Sequence, residues 1–150
     1  MTDEAQVNAL SNAMPKLPFA AAFVALIGVA DAIYLTVHHY TAEPVPCSII
    51  EGCEMVLTSS YATIGDIPLA AFGAAAYFLA FTLALLAGFG NRVMWTLFGV
   101  QVVLMSLFTA WLIYLQAAVI GAFCQFCLIS AATTLTLLVL FIISKLRGRN

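Results

Sequence analysis

Four long apolar stretches constrain this chain more than any other feature. The first runs from Leu17 to about Val37, the second from Leu69 to about Phe89, the third from Val93 to Ile120 and the fourth from about Cys124 to Ser144. Each is roughly twenty residues or more, the length at which a helix crosses a hydrocarbon layer about 30 Å thick. Inside such a layer the backbone must satisfy its own polar groups, so each stretch is predicted to be a helix. Hydrophobic residues make up 64% of the chain and charged residues 8%, too little polar surface to cover a soluble globule. The expected fold is an all-α membrane protein, a four-transmembrane-helix bundle over residues 17–144, flanked by a polar tail (1–16) and a basic tail (145–150).

The punctuation between the stretches fits this division. His38 to Pro68 is the one long polar segment, with three prolines, two glycines, four acids and the Cys47/Cys53 pair. Within it, Cys53 to Tyr61 is expected to form a short interfacial helix, and Pro68 suits the first turn of the next span. The second span is rich in Ala and Gly, which let membrane helices approach closely. Gly88 to Arg92 makes a tight turn. The third stretch exceeds what a span needs, so it must tilt, protrude or stop early near Tyr114; Gly121 then breaks it.

All five basic residues (Lys16, Arg92, Lys145, Arg147, Arg149) fall on the side of the two termini and the middle turn. The positive-inside rule therefore predicts a multi-pass protein of the cytoplasmic membrane with both termini cytoplasmic. No basic residue precedes Lys16, so the start lacks the charge of a secretory signal. The formal charge of −2 says nothing about nucleic acid, but no basic cluster suits phosphate binding, so membrane lipid and proteins are the expected partners.

This topology brings all four cysteines to the extracytoplasmic face, where disulfides are permitted. Cys124 and Cys127 are three residues apart, one helical turn, at the start of the fourth span. A helix N-terminus favours a thiolate, so Cys124 is expected to be the more reactive and Cys127 to lie deeper. A loop pair and a helix-end pair at one face can form a relay, in which thiolate attack carries electrons from a mobile pair to a fixed one. Two bland alternatives compete: inert buried thiols with a structural loop disulfide, and a non-enzymatic four-thiolate metal site.

The ordered set Pro46-Cys47-Ser48, Gly52-Cys53, Val56-Leu57-x-Ser59-x-Tyr61, Ile67-Pro68-Leu69-Ala70-x-Phe72-Gly73 with Tyr77, and Cys124-x-x-Cys127 resembles the vitamin K epoxide reductase family, in particular its bacterial and archaeal homologues. The resemblance implies a four-helix bundle around a quinone, ubiquinone or menaquinone, acting in oxidative protein folding. Electrons would pass from a thioredoxin-like, DsbA-like periplasmic protein to the loop pair, then to the helix pair, then to the quinone. Carried over by position, Cys47 would exchange with the partner, Cys53 would attack Cys124, and Cys127 would face the quinone. The resting pairing stays open, Cys53 with Cys124 being one possibility. Some relatives carry a fused thioredoxin-like domain after the last helix; the sequence stops at Asn150, so a separate partner is expected.

Further candidates surround these. Ser59, Phe72, Tyr77, Phe126 and the position of Ala131 are candidate quinone contacts, with Phe126 placed between the two thiols. Trp111, Tyr114 and Phe123 read as an interfacial aromatic belt. Asp31, an ionisable residue within a span, is a functional candidate by default; it and His38 could move protons. Members that reduce the epoxide have an asparagine and a tyrosine where this chain has Leu69 and Ala131, so quinone reduction is favoured over epoxide reduction. The quinone oxidoreductases of the DsbB type also pair four helices with two thiol pairs, but their CxxC comes first.

Overall fold

The computed structural model describes residues 4–5 and 16–148. The expected tail before Lys16 (apart from those two residues) and Arg149 lie outside the described residues. Four long helices carry the fold: α1 (Lys16–Thr41), α3 (Leu69–Gly88), α4 (Arg92–Tyr114) and α5 (Gln125–Gly148), with a short α2 (Cys53–Leu57) between the first two. All four long helices are long and apolar enough to cross a membrane, and the chain is a multi-pass membrane protein. α1 packs on α3 and α5, and α4 packs on the same two. The helices therefore form a closed ring in which α3 and α5 face each other diagonally.

Local sequence explains where the elements begin and end. Ala42 takes a left-handed φ of 54° and closes α1. The Asn91 side chain caps α4 by accepting the N–H groups of Val93 (3.1 Å) and Met94 (3.3 Å), satisfying donors that a helix start leaves free. The third apolar run does stop being α-helical at Tyr114; Leu115–Ile120 follows as a wide π-helical turn. Gly121, at φ 70°, ends it.

Three boundaries differ from the expectation. The interfacial helix covers only Cys53–Leu57, because the Ser59 hydroxyl donates to the Val56 carbonyl (2.7 Å) and ends it. A two-stranded hairpin follows, Thr63–Ile64 (β1) paired antiparallel with Ile67–Pro68 (β2) around Gly65-Asp66. The fourth helix runs past Ser144 to Gly148, so Lys145 and Arg147 form its last turn rather than a separate tail. Cations there complement the helix dipole.

The core is built from small residues. Ala21, Ala22, Ala25 and Ala32 of α1 meet Ala80 and Ala84 of α3, with Phe98, Val102 and Leu137 filling the rest. A Cβ on Gly28 would run into the Tyr77 ring, and one on Gly99 into the Phe141 ring. Trp95 stacks on Phe98 (centroids 4.7 Å) and donates its indole N–H to Ser144 Oγ at 2.9 Å. Many large apolar side chains, among them Phe23, Phe78 and Leu107, point outward, as a lipid-facing surface requires.

Candidate thiol and quinone site

Both cysteine pairs lie at the end of the bundle opposite the termini. Cys47 and Cys53 are joined by a disulfide, with Cα atoms 6.3 Å apart. Cys124 and Cys127 are free thiols. In this structure the bond lies within the loop pair.

The two pairs touch. Cys53 and Cys124 are fully buried in one cluster with Val56, and Cys47, Cys127 and Phe126 pack around it. The loop is seated by its backbone: Glu51 bridges Cys124 in an antiparallel pairing, and the Gln125 side chain accepts the Ile49 N–H at 3.2 Å. Gly52 allows this approach, since a Cβ there would lie 2.5 Å from the Phe123 carbonyl oxygen and 2.9 Å from its nitrogen. The Gln125 N–H, the first of α5, donates to Cys53 Sγ at 3.3 Å. A thiolate leaving from Cys53 would form against the positive end of that helix.

Cys124 occupies the position just before α5, and its carbonyl accepts the Leu128 N–H at 3.0 Å. Its own N–H donates to Gln116 Oε1 at 3.0 Å. A hydrogen bond from the Cys127 thiol, helped by the backbone N–H groups of Cys127 and Phe126, holds Cys124 below the usual thiol range, against the cost of burial. Among the free thiols it is the one prepared to act as nucleophile.

Cys127 opens onto a cavity of about 730 Å³ between the helices. Asp31, His38, Ser59, Phe72, Tyr77 and Ala131 also line it, so most of the scattered candidates converge on one space. Phe126 does not belong to this lining; it turns toward α1 and packs on Tyr34, centroids 5.2 Å apart. A residue next to Cys127 on a helix points about 100° away from it, which placing Phe126 between the thiols by sequence ignores. Trp111 and Tyr114 stack on each other at the surface.

Within the cavity, the Tyr77 hydroxyl crosses from α3 to the diagonal helix, donating to the Ser130 carbonyl (2.7 Å) and sharing hydrogen bonds with Ser130 Oγ (2.9 Å) and Thr134 Oγ1 (2.7 Å). His38 Nδ1 lies 3.3 Å from the Glu43 carbonyl at the end of α1. Asp31 Oδ2 is buried without a hydrogen-bond partner.

Two contributors, Gln116 and Gln125, are new relative to the sequence, and Gly52, there only part of a motif, gains a role in seating the loop. Gln116 had a visible signal, one of two amides (with Gln101) inside an apolar run, and it is 3% exposed while lining the cavity. Gly52 and Gln125 work through backbone contacts between segments about seventy residues apart, which no local pattern displays.

No curated protein sequence matches the chain. The family described as the vitamin K epoxide reductase family matches over residues 19–142, from the first turns of α1 almost to the end of α5. A membrane thiol oxidoreductase and quinone reductase kind of activity goes with that match, and the chain belongs to the vitamin K epoxide reductase family.

Proposed function

We propose that this protein oxidises a thioredoxin-like, DsbA-like partner outside the cytoplasm and passes the electrons to a membrane quinone, generating protein disulfides. The observation that carries the proposal is the contact between the pairs: Cys53 and Cys124 buried together while Cys127, one turn on, lines the cavity. A partner thiolate attacks Cys47, and Cys53 leaves as a thiolate facing the Gln125 N–H. Cys53 then attacks Cys124 in the oxidised helix pair, and Cys127 is released toward the cavity. With the loop pair bonded and the helix pair free, as they stand here, this scheme has the electrons already on Cys124 and Cys127.

The cavity suits a quinone. Its volume falls within the range of about 300–1,000 Å³ common for small-molecule sites. Met105, Phe108, Leu112 and Ile113 of α4 offer an apolar wall for an isoprenoid tail, and an orphaned carboxyl oxygen waits for a polar group. A bound quinone supplies a sink for two electrons and two protons. Leu69 and Ala131, both in the lining, offer no hydrogen bond where epoxide-reducing relatives carry asparagine and tyrosine, which supports quinone over epoxide as the oxidant.

The test is quinone reduction by a reduced thioredoxin-like protein in membranes containing this chain, with ubiquinone and menaquinone compared. Cys127→Ala should abolish quinone reduction while partner exchange at Cys47 stays detectable. Turnover at the normal rate in that variant would refute the assignment.

A further inference from the structure

Among the described residues, one buried side-chain oxygen has no hydrogen-bond partner, and its residue lines this cavity. Asp31 Oδ2, in the middle of α1, is buried and unpartnered. No lysine or arginine lines the cavity among the described residues, and its two histidines, His38 and His39, lie about two turns further along α1 than Asp31. A carboxylate with neither cation nor hydrogen bond in such surroundings is strongly disfavoured against the neutral acid. A buried carboxylic acid costs less, and it carries a proton that can be given away.

The hydroxyls of Tyr77 and Ser59 and the Gln116 amide oxygen, which line the same cavity, are already engaged. The Tyr77 ring packs against Gly28, one helical turn before Asp31, which brings it to the same face of α1. Its hydroxyl donates to the Ser130 carbonyl and shares its remaining hydrogen bonds with Ser130 and Thr134. Ser59 donates to the Val56 carbonyl, and Gln116 Oε1 receives the Cys124 N–H. To reach a ligand oxygen, Tyr77 would have to break a bond already made; Asp31 would gain one.

Resting on the quinone reading above, we infer that Asp31 is the acid that binds a quinone carbonyl oxygen in this cavity and delivers a proton to it. The step balances within the protein. Cys124 and Cys127 lose their two thiol hydrogens and join in an S–S bond, and the electron pair released goes to the quinone. Of the two protons that complete the quinol, Asp31 gives one from Oδ2 and regains one from the thiols; the second thiol proton supplies the other. No further oxidant or reductant is needed.

The test uses the full-length protein in lipid nanodiscs with decylubiquinone as the probe. Infrared spectra should show a buried protonated carboxyl C=O band that Asp31→Asn removes. After one addition of quinone to the reduced protein, the rate of Cys124–Cys127 disulfide formation, read by thiol trapping, should fall about 100-fold in Asp31→Asn, the lower end of general-acid contributions. Asp31→Glu should recover most of it, and quinone affinity should change by no more than about threefold. Reduction of the Cys47–Cys53 bond by dithiothreitol at the unaltered rate shows that a variant is folded. An undiminished trapping rate in Asp31→Asn, with the native protein oxidised normally, overturns this role and leaves the quinone reading intact. A native protein whose thiols no quinone oxidises overturns both. Absence of the carboxyl band in the native protein overturns the acid whether or not the variants fold.

Discussion

The same four helices are packed in two different ways along their length. Toward the termini, alanines of α1 and α3 close on one another and Trp95, Phe98 and Phe141 interlock, with glycine at 99 where any side chain would meet a ring. Toward the cysteines the helices part around a cavity of about 730 Å³, and the polar side chains of Asp31, Gln116, Tyr77 and Thr134 line it. Membrane helices gain little from the hydrophobic effect between themselves, so close van der Waals contact must hold them. The packed end supplies that contact, and the open end can then tolerate a void, an unpaired carboxyl and a loop held mainly by backbone bonds.

That division can be broken from either side. Gly99→Leu should have the largest effect on stability, because added atoms in a filled core commonly cost about 1–3 kcal/mol and here they strike Phe141. Thermal unfolding in detergent should show a clear fall in midpoint, and an unchanged midpoint would mean the packed end does not hold the bundle. Gly52→Ala, at the open end, should leave the midpoint nearly in place. It should slow passage of electrons from the loop pair to the helix pair by at least about tenfold, since small misplacements of reacting groups carry large rate penalties. Single-turnover trapping of the loop and helix thiols measures that rate directly; an unaltered rate would show that the Gly52 to Phe123 contact does not seat the loop.

The two ends were also unequally legible. The spans could be read from length and apolarity because a bilayer imposes one simple requirement on every residue of a crossing helix. The turn from Gly88 to Arg92 and the stop near Tyr114 follow from equally local chemistry. The hairpin at Thr63–Pro68 had a cue, a Gly-Asp pair between short β-branched runs, but strands of two residues are too brief for periodicity to register. At the site, residue types announced Asp31 and the cysteines. They did not reveal which thiols were bonded, that Phe126 faces Tyr34, or that Gln116 holds the Cys124 backbone, because these depend on how distant segments meet.

Electron transfer between the pairs requires Cys53 and Cys124 to be neighbours across the loop and the bundle. In the double variant Cys47→Ser/Cys127→Ser, only those two sulfurs remain. Mild oxidation in intact membranes, followed by digestion and mass spectrometry, should yield the Cys53–Cys124 cross-linked peptide in most of the protein, as expected for buried thiols already packed together. Two thiols that stay free, or that link only between different molecules, would contradict the transfer path at its central step.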